Sequence, residues 1–154
     1  MWKKLSDRTE VDLKTYVADY IAKYPETAIG ISTDSINRGM NTWYATVVVL
    51  YRKGKGGHVL FSRRKNTRKL FGNASQKDFM KLYNETIYTQ EVVDLLDEYH
   101  NIMDVHLDFN LDKNYFSNQV LLASMGYFQG KGIRVKGKPG EYAQVADKVV
   151  RGGN

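Results

Sequence analysis

Apolar positions change their period several times along the chain, and each change marks an element. Between residues 9 and 24, Val11, Leu13, Tyr16, Val17, Tyr20 and Ile21 recur near helical spacing, and Pro25 ends the run. Residues 28–35 then read as a strand running into a polar end, and residues 37–41 supply turn chemistry. Residues 42–51 are almost entirely β-branched, aromatic or aliphatic, the composition of a buried strand. A glycine-rich turn at 54–57 leads into a third strand at 58–62. Three successive strands with short connections predict an antiparallel meander.

The period then switches to helical. Phe79, Leu82, Tyr83, Thr86, Ile87, Val92, Val93, Leu96 and Tyr99 form an apolar stripe that predicts a long helix over 76–99. A fourth strand is expected at 102–109, a helix at 116–128 ending near Gly126 and Gly130, and a short strand at 133–135. Pro139 opens the approach to a last helix at 143–150, and residues 152–154 read as a loose tail. The order is αβββαβαβα, which predicts an α/β fold: a mixed sheet with helices on both faces. No internal repeat or low-complexity linker interrupts it. One domain over 1–154 is therefore expected, with an N-terminal helix within 1–24, a core over 28–150 and a tail at 151–154.

Composition narrows the chemistry. The 154 residues are 42% hydrophobic and 26% charged, ordinary for a globular chain. The absence of cysteine excludes a disulfide framework, a thiolate zinc site and a cysteine nucleophile together. The three histidines, His58, His100 and His106, fit no zinc spacing. Any metal is thus expected on oxygen ligands, which favours magnesium or manganese. No signal-like segment opens the chain and no apolar run approaches the roughly 20 residues that span a bilayer, so a soluble, cytoplasmic protein without a membrane partner is expected. A formal charge of +6 suits a polyanionic partner such as nucleic acid.

Four acids stand out by position. Asp34 falls at the polar end of the first strand of the meander, and Asp108 near the end of the fourth strand. Glu85 lies inside the long helix and Asp147 in the last one. If the first and fourth strands lie side by side, their aspartates meet at one end with helix residues able to reach over them. Clustered carboxylates repel unless they share cations, so such a set implies a metal site. Each acid also has a plainer reading. Asp34 and Asp108 fit turn caps, while Glu85 and Asp147 fit solvated helix faces.

The ordered segments Ile-Ser-Thr-Asp-Ser (31–35), Arg-Lys-Gly-Lys-Gly-Gly (52–57), Asn-Glu-Thr (84–86) and His-Leu-Asp-Phe-Asn (106–110) continue with Ser117 and Met-Gly-Tyr-Phe-Gln-Gly-Lys-Gly (125–132). Lys138-Pro139 and Ala-Gln-Val-Ala-Asp-Lys (143–148) complete the series. Together they resemble the ribonuclease H-like YkuK family over roughly residues 28–150. The resemblance implies a ribonuclease H fold, βββαβαβα, here with an additional N-terminal helix. It also implies metal ligands at Asp34, Glu85 and Asp108, with Asp147 as a variable fourth carboxylate. The family usually has Gly-Thr-Asp-Ser-Gln where this chain has Ser32-Thr33-Asp34-Ser35-Ile36, so the surroundings of the first ligand differ.

The block from Arg52 to Lys69 contains Arg52, Lys53, Lys55, Arg63, Arg64 and Lys65 and no acid. Such a block can track a phosphate backbone, or serve only as a solvated hairpin. Lys136 and Lys138 are further candidates for phosphate contact. The loop-like stretch 66–75 is expected to fold over a substrate. His106 shares strand parity with Asp108, which permits proton transfer, although packing against a helix is the commoner use. Tyr115, Tyr127 and Tyr142 fit base stacking or core packing. The expected activity is a two-metal, Mg2+- or Mn2+-dependent nuclease with Asp34, Glu85, Asp108 and Asp147 as catalytic ligands. Its partner would be RNA, an RNA–DNA hybrid or structured DNA. The alternative is a non-catalytic ribonuclease H-like module that binds nucleic acid or protein. Oligomeric state is left open by the sequence.

Overall fold

The meander forms because its strands carry the bulk that a half-buried pleat needs. β3 (Ala28–Arg38), β4 (Asn41–Tyr51) and β5 (Gly57–Asn66) pair antiparallel along nearly their whole lengths. The β3–β4 connection is two residues, with Gly39 at φ +63°, a backbone that fits a tight hairpin. At the other hairpin, a Cβ on Gly57 would stand 2.2 Å from the Leu50 carbonyl oxygen, so only glycine fits there. The computed structural model describes residues 1–66, 70–107, 115–136, 146 and 148–151, and of 115–121 the backbone only.

Before the meander come β1 (Trp2–Lys4), β2 (Glu10–Val11) and α1 (Leu13–Lys23). After it come α2 (Ala74–Leu95), a 3-10 turn (Asp97–Ile102), β6 (Met103–His106), α3 (Tyr115–Gly130) and β7 (Arg134–Lys136). Residues 146 and 148–151 are helical. Among the described residues the strands form one mixed sheet in the order β2-β1-β5-β4-β3-β6-β7. β6 lies beside β3 and β7 beside β6, both parallel, as the crossover helices α2 and α3 require. The expected α/β architecture, with β3 central and β6 its neighbour, is what the chain adopts.

Several boundaries differ from the sequence pattern: β3 runs on to Arg38 through part of the expected turn, β5 to Asn66, and β6 spans only Met103–His106. The first helix begins at Leu13 rather than Thr9, because the Asp12 carboxylate caps it by accepting from the Thr15 amide at 3.0 Å. Glu10 and Val11 instead pair with β1, giving a small hairpin that periodicity did not predict. The long helix starts two residues early, on a capping box between Asn73 and Gln76, and gives way to the 3-10 turn after Leu95.

Side chains alternate between two cores. On one face Ile29, Ile31, Val48, Leu50 and Leu60 pack under α1, α2 and α3 with Val17, Val93, Leu96 and Phe128. On the other, Ala45, Val47 and Phe61 pack against Ala146, Val149 and Val150. The sheet is therefore covered on both sides, and its polar positions concentrate at one end of β3.

Candidate functional site

β3 changes chemistry along its length. Ile29 and Ile31 belong to the core under α2, and the same face continues as Thr33 and Ser35. Thr33 shares its hydroxyl with Thr46 at 2.9 Å and with Thr89 of α2 at 2.8 Å, and Thr89 also donates to the Glu85 carbonyl at 2.9 Å. One level further on, the Ser35 hydroxyl donates to the Glu85 carboxylate, while the Ser35 amide donates to Asp34 Oδ1 at 2.8 Å. Ser35 thus links an acid from the strand to an acid from the helix.

Both acids are buried, Asp34 at 8% exposure and Glu85 at 7%. Glu85 therefore does not lie on a solvated helix face. Parity separates their approaches. Asp34 projects to the face covered by Ala146, Val149 and Val150, in line with Ala45, whereas Glu85 comes from the α2 side. Both acids bond Ser35, one to its amide and one to its hydroxyl.

Tyr44 sits opposite Ser35 in the β3–β4 register. Burial, opposed by a donation from the Asn84 amide at 3.1 Å and helped by the Glu85 charge, pushes its hydroxyl up to about 12. It remains neutral at physiological pH. Its ring meets Tyr88 edge-on, and the Arg64 guanidinium lies 3.9 Å over Tyr88 while pairing with Glu91 at 2.9 Å.

Ser32 and Ile36, where the sequence departs from the resemblance, each make a defined contact. The Ser32 hydroxyl donates to the His106 carbonyl at 2.8 Å, tying β3 to the end of β6. Ile36 packs against the second core. His106 is itself buried, on the Asp34 face of β6, which agrees with packing rather than exchange with a substrate.

Asp108, Asp147 and Lys138 lie outside the described residues, as do Arg68, Lys69 and Tyr142. The β3–β6 register is described as far as Ser32 opposite His106. Among the described residues, no group of three or more histidine or carboxylate side chains comes together in a way that would hold a metal ion. The oxygen donors Asp34 and Glu85 suit a hard divalent cation that keeps several waters.

The basic block divides into two. Arg63, Arg64 and Lys65 pair with Ala45, Tyr44 and Trp43, at the same sheet end as Asp34 and about 10 Å across two strand spacings. Lys136 ends β7 beside His106 and is exposed there. Arg52, Lys53 and Lys55 occupy the β4–β5 turn, about 20 Å away at the other end of the strands. Arg52 is already engaged, 3.7 Å from the Tyr24 ring centroid and 3.4 Å from Glu26. Sequence reasoning missed Ser35, Asn84, Tyr44 and Asp104. The last is buried against Arg134 at 2.8 Å and 3.3 Å, a pairing set by its register with β7. No helix among the described residues is long and apolar enough to cross a membrane.

A ribonuclease H-like family model matches residues 12–151. Solved structures similar to this chain include ribonuclease H1 from the halophilic archaeon Halobacterium salinarum. It is 18% identical over 77% of this chain and 91% of that one, with a TM-score of 0.44. The N-terminal ribonuclease H domain of a Mycobacterium tuberculosis protein is 15% identical over 82% and 92%, with a TM-score of 0.49. No curated protein matches the chain. With the match running from the start of α1 to the end of the last helical residues, the chain belongs to the ribonuclease H-like family.

Proposed function

We propose that this chain is a divalent-metal-dependent nuclease whose site is built on Asp34, Glu85, Asp108 and Asp147. The observation that carries this reading is the meeting of two buried carboxylates, from β3 and α2, on one serine at the carboxyl end of the parallel strands. Ligand sites in open α/β sheets gather at that end. The third acid is supported by its place in the sequence: Ser32 lies opposite His106, and Asp34 and Asp108 each follow two residues later in the chain. Ala146, one residue before Asp147, packs in the same cluster as Ala45, the cross-strand partner of Asp34. The ordered motif series supports the finer assignment to the YkuK branch.

In this reading Asp34 and Asp108 hold one Mg2+ or Mn2+ with Glu85, and Asp147 contributes to a second. Such ions, when bound, activate a water and stabilise charge on the phosphodiester oxygens. The remaining work belongs to the chain's own residues. Ser35 fixes the rotamer of Glu85 and the direction of Asp34. The threonine hydroxyls beneath keep α2 at a set height over β3. Arg63, Arg64, Lys65 and Lys136 supply positive charge at the same end for RNA, an RNA–DNA hybrid or structured DNA. Arg52, Lys53 and Lys55 would engage only a polyanion long enough to reach the other end of the sheet.

Purified protein with Mg2+ or Mn2+ is expected to cut at least one of these nucleic acids, and Asp108→Asn to abolish cutting while melting like the parent. Unchanged cleavage by Asp108→Asn would remove the assignment. Salt-sensitive binding without cleavage, across both metals and all three substrates, would replace it with the binding-module reading.

A further inference from the structure

The face that carries Asp34 also gathers arginines from three separate parts of the chain. Arg63 lies in direct register with Ala45 and Asp34 and shares their face. Arg38 is four residues beyond Asp34 on that face, and its Nη2 donates to the Arg151 carbonyl at 2.8 Å. Arg8, from the turn between β1 and β2, sets its guanidinium 5.1 Å over Phe61, two residues before Arg63 on β5. The Lys65 ammonium stands 5.9 Å from the Trp43 ring on the same face. Arg8 and Arg38 are exposed, while Arg63 is half-buried at the rim of the second core.

Two observations separate this group from an ordinary solvated surface. Burial and then the charges of Arg8 and Arg38 hold the Arg63 guanidinium below the usual arginine range. Arg63 thus stands in the field of both, between Arg8 over Phe61 and Arg38 farther along the face, and arginine cannot relieve repulsion by losing its proton. Second, Arg8 is the one non-glycine residue with positive φ among the described residues, at +65°. Glycine would take that left-handed backbone freely, so a long cation is held there in a conformation its own backbone disfavours. Asp7, the acid in the same turn, is committed to Lys4 at 3.2 Å and to the Thr9 amide at 2.9 Å.

We propose that Arg8, Arg38 and Arg63 form one phosphate-binding face, each taking a phosphate along the backbone of a nucleic acid laid on the Asp34 side of the sheet. The assignment of those phosphates to a nucleic acid rests on the nuclease reading above. The arginine site itself does not, because guanidinium forks recognise phosphate whatever carries it. The site explains why the strained position is an arginine and why the two hairpin ends, remote in sequence, present the same charge.

The test uses the full chain and Arg8→Gly, Arg38→Gln and their double variant. Affinity for a fluorescently labelled RNA–DNA hybrid is measured against salt concentration, with melting temperature recorded in parallel. Each single variant should weaken binding and make the log–log salt slope shallower by about 0.7–0.9, the release expected for one phosphate contact. Arg8→Gly should melt no lower than the parent, since the substitution relieves strain; weaker binding without loss of stability is a result that mere scaffolding does not produce. A double variant that binds with parental affinity and slope overturns the proposal and leaves the nucleic-acid reading standing. If the parent binds no nucleic acid, titration with inorganic phosphate decides. A thermal shift seen in the parent and lost in the double variant upholds the arginine site for free phosphate and refutes the nucleic-acid reading, whereas no shift in the parent overturns both.

Discussion

Ser35 contributes one amide and one hydroxyl, and each goes to a different acid. Replacing it with alanine should leave the fold intact, keep the amide bond to Asp34 and loosen the Glu85 carboxylate. Partners of that kind typically contribute 10–100-fold to metal affinity, so Ser35→Ala is expected to weaken Mn2+ binding by about that factor in calorimetry. Thr89 is fully buried and bonded to both Thr33 and the Glu85 carbonyl. Thr89→Val leaves the Thr33–Thr46 pair short of a partner and should cost about 1–3 kcal/mol in urea unfolding. Tyr44 predicts an alkaline effect. Its hydroxyl ionises near 10 when unfolded and near 12 when folded, so its stabilising contribution is complete below pH 10. That contribution is lost as pH rises through 12, by about 2–3 kcal/mol, and Tyr44→Phe should lack this part of the alkaline loss. At this scale the sequence was informative about acids and silent about what holds them. Asp34 announced itself as a polar end to an apolar strand. Ser35 binding an acid 50 positions away, and an arginine in a left-handed turn, are tertiary facts with no local pattern.

Secondary structure was most legible where a single face decides it. The three long strands and two core helices follow from apolar period and turn residues, and the structure keeps them with shifted ends. The stripe read on α2 included Thr86 but not Glu85 or Thr89, although both lie on the same buried face. The β1–β2 hairpin was not legible, because strands of three and two residues have no period to detect. Its consequence is that Thr9 to Val11 leave the first helix to Asp12. The capping box on α2 is a corresponding test. Asn73→Ala removes the side-chain acceptor for the Gln76 amide, and should lower stability by about 1 kcal/mol while leaving the β3–β4–β5 meander unchanged.

Across the whole molecule, the sheet separates a structural end from a chemical one. Arg52 is engaged by Tyr24 and Glu26 near the β4–β5 turn, and Asp104 is neutralised by Arg134 near the start of β6. At the carboxyl end of the parallel strands stand Asp34, Glu85, Arg63 and Lys136. Composition had already excluded cysteine chemistry and favoured oxygen-bound metal, but which basic residues share an end with the acids emerged only from strand register. The most direct measurement is therefore Mn2+ binding by calorimetry on the parent, Asp34→Asn and Glu85→Gln, with melting temperatures alongside. The nuclease account predicts that the parent takes up Mn2+ and that each variant loses more than about tenfold in affinity while still folding. A parent that takes up no Mn2+, or folded variants that bind it as the parent does, would contradict the account.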